Sequence, residues 1–258
     1  MAIKIIVNDV WKLAAQLAVT DSSNNLTTDV DGLYAVTGGP RHLYWKQSGT
    51  AERRIYYANT AGNIACDTLV MTRADLHVGH QIQILSSTAF LSTTSTEYDS
   101  GTNFNPTLVG KRSQDWVKEG LSISGKEAVA VRFMDGTAGA YQKEVHQLYF
   151  GTALTLSALR RVTTRPTEKD FRFLTKENQS YRVSESGTLE FEAVDSDTLT
   201  SLQALWRLRE EPFFIYDDDG YWLDGKLWHC VLREPAISKA FDDFHNLQLD
   251  VLRLQTYE

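Results

Sequence analysis

The chain has 258 residues, 42% of them hydrophobic and 23% charged, and its 26 basic and 33 acidic side chains give a formal charge of −7. The basic residues are outnumbered and scattered, which argues against nucleic acid as a partner, and no run approaches the roughly 20 apolar residues of a membrane-spanning helix. The opening MAIKIIVNDVW lacks the apolar core and small-residue cleavage site of a secretory signal, so a chain made in the cytoplasm is expected.

A chain of this length hides roughly 70 to 75% of its unfolded surface, enough for two domains of about 100 to 150 residues. Cys66 and Cys230 lack the paired spacing of a zinc site and read as small buried hydrophobes. Short apolar runs rich in aromatic and β-branched residues, bounded by Gly, Asn, Asp or Ser, indicate a mainly β protein.

In chain order, RRIYYA at 53–58 and IACDTLVM at 64–71 read as strands around the turn NTAGN. QIQILSS at 81–87 alternates with period two, which places Ile82 and Ile84 on one buried face. AVAVRF at 128–133 and VHQLYF at 145–150 flank a segment whose Asp135-Gly136 suits a positive-φ turn, so a hairpin with a long loop is expected. Such spacing suggests an antiparallel β-sandwich or jelly roll over residues 1–156.

The basic stretch 160–165 and Pro166 mark a boundary before a smaller β domain, residues 157–258. FRFL at 171–174 and TLEFEAV at 188–194 read as strands, with SESG at 184–187 as a turn. One covering helix is expected at about 197–211. Asp195 or Ser196 caps it, Leu199, Leu202, Leu205, Trp206 and Leu208 line its apolar face, and Pro212 ends it. Strands at 213–216, 221–232 and 244–254 follow, the last with Leu247, Leu249 and Val251 on one face and Asn246, Gln248, Asp250 and Leu252 on the other. The basic residues divide evenly about residue 155, 13 to each side, whereas the acidic residues divide 14 and 19, a net of −1 against −6. The acidity belongs to the second domain.

No nucleophile elbow, phosphate-cradling loop, zinc-protease helix or dinucleotide fingerprint is present, so no catalytic residue and no cofactor is expected. His77 and His80 lie three apart, but Gly79 and the lack of a third ligand leave them as rim residues of a sandwich. Asp217, Asp218 and Asp219 lack the ligand alternation of a calcium loop and read as a hairpin tip, whereas Asp29 and Asp31 in DVDG are the better calcium candidates. His42, Tyr44 and Trp45 offer either a platform for sugar or partner contact or, for the aromatics, a plug in the core. Glu97 and Asp99, two residues apart in a polar segment, make a weak acid pair for glycoside hydrolysis.

Residues 20–156 read together resemble a known family. HLYWKQSG resembles the Trp-x-x-Ser element of galactose-binding-like (discoidin-type) jelly rolls, and RRIYYANTAGNIACDTLVMTRADLHVGHQIQILSS resembles the strands and loop that follow it there. AVAVRF with VHQLYFG is similar to the closing pair, although Asp75-Leu76 stands where the family often has His-Asn. A jelly roll followed by GTLEFEAVDSDTLTSLQALW, PFFIYDDDGYWLDGKLWHCVL and NLQLDVLRL is similar to bacteriophage minor tail and distal-tail (tail-tip, baseplate) proteins.

That resemblance implies a non-enzymatic virion component, a homo-oligomeric ring around the tail axis contacting tail tube, hub and fibre proteins. In such a ring the acidic domain is expected to line the channel and repel DNA. Residues 244–254, through Asn246, Gln248 and Asp250, are expected to pair across subunits. The alternative is a carbohydrate-binding module without catalytic activity, with host surface glycans as ligands.

Overall fold

The computed structural model describes residues 2–7, 16–28, 45–47, 49–59, 61–72, 79–92, 94–103, 115–137, 140, 142–156, 159–166, 172–174, 180–207, 212–217, 220–223 and 227–254. The fold is mainly β with several antiparallel sheets and, among the described residues, one α-helix. The chain divides into two compact units, Asn8–Thr152 and a second that joins Met1–Val7 to Ala153–Glu258. The first strand, β1 (Ile3–Val7), therefore belongs with the C-terminal half, which corrects the expectation of domains at 1–156 and 157–258. Its apolar face supplies the reason: Ile3, Ile5 and Val7 join the core of the second unit.

The unit Asn8–Thr152 contains β2 (Gln16–Thr20), β3 (Trp45–Lys46), β4 (Arg53–Ala58), β5 (Ile64–Cys66), β6 (Thr68–Thr72), β7 (Gln81–Ser87), β8 (Ser95–Asp99), β9 (Trp116–Lys118), β10 (Ile123–Lys126), β11 (Ala128–Met134), β12 (Glu144–Val145) and the start of β13 (Gln147–Leu156). One sheet runs β2-β4-β11-β7-β8, and β6 lies between β13 and β9 in another. Ile55, Tyr57, Ile82, Ile84, Val129 and Val131 from the first sheet meet Leu69, Met71, Leu148 and Phe150 from the second in a single core. The period-two reading of residues 81–87 is thus realised, with Ile82 and Ile84 fully buried.

Two expected pairings do not form here. Residues 64–71 are not one strand, because the chain changes sheets at Asp67: β5 pairs with β10, whereas β6 pairs with β13 and β9. Nor do the runs at 128–133 and 145–150 form a hairpin. Both edges of β11 are occupied, by β4 and β7, so β13 pairs with β6 instead.

In the other unit, β14 (Leu159–Pro166), β15 (Arg172–Leu174) and β16 (Ser180–Asp195) precede α1 (Ser196–Arg207), which is followed by β17 (Pro212–Asp217), β18 (Leu227–Phe241) and β19 (Phe244–Leu254). The strand order is β14-β16-β19-β18-β17-β1, with β15 paired to the start of β16. Leu189 and Phe191 from β16, Trp228, Cys230 and Leu232 from β18, and Leu247, Leu249 and Val251 from β19 share one core with Leu199 and Leu202 of the helix. Asp195 is the cap, its Oδ1 accepting the Thr198 N–H at 2.8 Å.

SESG at 184–187 lies inside β16 and is not a turn. Ser186 and Gly187 pair with Arg165 and Thr164 on one side and with Leu252 and Val251 on the other. The basic stretch read as a boundary is itself strand β14. β19 is an interior strand, paired along its length with β16 and β18. Its backbone donors and acceptors are therefore spent, which corrects the expectation that Asn246, Gln248 and Asp250 belong to an edge open to a neighbouring subunit.

Candidate functional site

The sheet of the second unit turns one face to the core and helix; its other face is polar around β14, β16 and the middle of β19, and carries a separate buried cluster of Val183, Val231, Leu252 and Leu254. Alternation along β14 puts Arg161, Thr163 and Arg165 on the polar face, because β-strand side chains point to opposite sides in turn. Register then builds rows across the sheet. Arg161 lies beside Glu190 and Gln248, Thr163 beside Thr188 and Asp250, and Arg165 beside Ser186 and Leu252. With Arg233 of β18 these side chains, Leu252 excepted, line an open cleft of about 570 Å³.

Within the cleft the Thr188 hydroxyl donates to Asp250 Oδ1 at 2.8 Å, and Gln248 Nε2 donates to the same oxygen at 3.1 Å. That carboxylate is held by its own sheet. Arg161 and Arg165 are exposed on β14, as is Arg233 on β18. Three guanidinium groups face two carboxylates, Glu190 and Asp250, so the cleft carries an excess of positive charge. The acidity of this half of the sequence therefore does not extend to the cleft. The sequence excess of carboxylates is distributed elsewhere, for example onto Glu192, which pairs with Arg160, and Glu185, which accepts from Arg253 Nη1 at 3.0 Å.

Gln248 and Asp250 are brought together in this cleft, and Asn246 is exposed farther along the same strand. Arg161, Thr163, Arg165 and Arg233 were absent from the sequence expectations. Their signal was present as the period-two placement of two arginines around a threonine, but a basic run before a proline reads more readily as a linker.

In the unit Asn8–Thr152, Trp45 is fully buried and stacked against Phe133, with ring centroids 5.9 Å apart and an interplanar angle of 28°. It plugs the core and offers no platform to a sugar. His80, which the sequence offers with His77 as a rim residue for glycan or partner contact, is buried. Asp29, Asp31, His42, Tyr44 and His77 lie outside the described residues. Among the described residues, no cluster of three or more His, Cys, Asp or Glu is arranged to hold a metal.

The remaining polar candidates serve the scaffold. Across the outer face of the five-stranded sheet, Arg132 makes a two-pronged ion pair to Glu52 at 2.7 Å and donates to Gln83 Oε1 at 2.9 Å. Gln83 Nε2 in turn donates to Asp99 Oδ2 at 2.6 Å, and Gln81 Nε2 to Asp99 Oδ1 at 2.8 Å. These hydrogen bonds, that from Gln83 first, hold the Asp99 carboxyl below its ordinary range. Glu97 accepts from the Ser86 hydroxyl. Both acids of the imagined hydrolytic pair are thus engaged as acceptors. Asp217 is fully buried, and its Oδ2 accepts the N–H groups of Trp222 and Leu223 at 2.6 and 3.0 Å, an internal brace for the turn it opens.

No protein-family model matches the chain, and no curated protein matches it in sequence.

Proposed function

We propose that the chain is a non-catalytic structural subunit of a bacteriophage tail tip or baseplate, of the distal-tail or minor-tail kind, assembling as a ring and holding neighbouring tail proteins. Its location is the virion tail, after synthesis in the host cytoplasm. The observation that carries this reading is the second unit. It is a sheet of long strands packed on one face against a helix, with an arginine-lined cleft on the other and an end strand that, among the described residues, pairs on one side alone. That is the equipment of an assembly module.

The sequence resemblance to galactose-binding-like jelly rolls supports the same reading, since the first unit has a two-sheet core compatible with such a fold. Trp45 is buried and so is not available to stack on a glycan. Among the described residues no helix is long and apolar enough to cross a membrane.

Light scattering coupled to gel filtration, with negative-stain microscopy, tests the proposal. Closed rings of one size support it. A monomer at every concentration, together with absence of the chain from purified virions of the encoding phage, overturns it.

A further inference from the structure

The outer edge of β14 and the arginine-lined cleft beside it lie on the same strand. β14 ends the sheet order and pairs only with β16 among the described residues, so one side of its backbone is available to a further strand. Along it, Arg161, Thr163 and Arg165 all turn onto the cleft face, and Arg233 adds a third guanidinium from β18. Among the described residues none of these arginines is joined to a carboxylate, in contrast to Arg160, Arg132 and Arg253, each of which has its acidic partner.

We propose that this edge receives an extended acidic segment of another polypeptide, added as a strand beside β14, with carboxylates on alternate residues turned onto Arg161 and Arg165. Three observations converge on that occupant. An unpaired strand edge selects an extended backbone over a helix, because only an extended chain matches its row of donors and acceptors. Arg161 and Arg165 stand four residues apart on one face of β14, a spacing that the carboxylates along one face of an alternating acidic strand reproduce. The guanidinium groups favour carboxylates geometrically, through paired N–H donors.

The neighbouring face extends the site. Ser186 and Thr188 of β16 continue the polar cleft inward from β14. Asp250, already held by Thr188 and Gln248, discourages a cationic segment by like charge. This inference concerns the isolated chain and does not depend on ring formation.

Fluorescence anisotropy with the full chain tests it. The probe is a capped, dye-labelled nonapeptide of alternating threonine and glutamate. Controls are the same peptide with lysine for glutamate, one with a central proline that blocks strand pairing, and a single-stranded DNA oligonucleotide of equal negative charge. The expected result is binding of the alternating acidic peptide alone, weakened at least about tenfold in Arg161→Glu/Arg165→Glu and unchanged in Arg160→Gln, which lies outside the cleft.

Circular dichroism establishes that the double variant is folded. If it is not, Arg161→Gln and Arg165→Gln are measured singly, with at least about a threefold loss expected from each. Failure of the acidic peptide to bind, equal binding of the proline peptide or the oligonucleotide, or indifference to the arginine substitutions overturns the proposal.

Discussion

Gly187 on β16 lies directly beneath the ring of Trp228 on β18: a β-carbon at this position would stand 3.1 Å from Trp228 Cζ3 and 3.3 Å from Val251 Cγ2. The glycine is there for want of space, since it is not in a left-handed conformation and sits in a paired strand. On the opposite flank the Arg253 guanidinium lies 5.1 Å from the Trp228 ring and is itself tied to Glu185. The indole is thus gripped between two strands, in the same sheet whose other face carries the arginine cleft.

Gly187→Val is accordingly expected to destabilise the second unit by about 1 to 3 kcal/mol through overpacking. Gly187→Ala is expected to cost less, because the neighbouring side chains need give only a few tenths of an ångström. Urea unfolding followed by tryptophan fluorescence measures both. An unchanged midpoint for the valine variant would show that Trp228 has room to move.

Asp195 caps α1 through its hydrogen bond to the Thr198 N–H, which with the Thr198 hydroxyl holds its carboxyl below the ordinary range. Asp195→Ala is expected to cost about 1 kcal/mol near neutral pH. Because the folded-state value is depressed, the contribution is present above the unfolded carboxylate pKa of about 4 and disappears as pH falls through the folded value. Denaturant midpoints for wild type and variant should converge on acidification. A gap that stays constant with pH would contradict the cap.

Gly136 has φ +54°, and a β-carbon there would collide with the carbonyl oxygen of Gly79, which already accepts the Thr137 N–H at 2.8 Å. Gly136→Ala is therefore expected to cost at least about 1 to 2 kcal/mol from the left-handed backbone alone, with the collision in addition. Thermal melting of the full chain reads the loss in the unit Asn8–Thr152, and an unaltered melting profile would count against this turn geometry.

Both cysteines are buried, and burial pushes the Cys66 thiol up to about 12. Alkylation with iodoacetamide at pH 8 should label neither in the folded chain and both in urea, since the reactive species is the thiolate. Mass spectrometry counts the adducts. Rapid modification of Cys66 without denaturant would show that its core opens readily.

Local sequence carries the β character, a helix start at Asp195 or Ser196, the inward faces of residues 81–87 and 244–254 and the burial of both cysteines. These follow from local periodicity and capping chemistry, which short windows of residues carry. Only the tertiary structure decided which strands are neighbours, because pairing depends on which edges are already taken. β19 has the clean alternation of an exposed strand yet lies between β16 and β18, while the basic stretch 160–165, which reads as a domain boundary, belongs to β14, paired among the described residues with β16 alone. The net charge shows the same division: −6 belongs to the second half of the sequence, but folding places Arg161, Arg165 and Arg233 in one cleft against two carboxylates. Composition adds charges along the chain, whereas a binding surface depends on which of them register brings side by side.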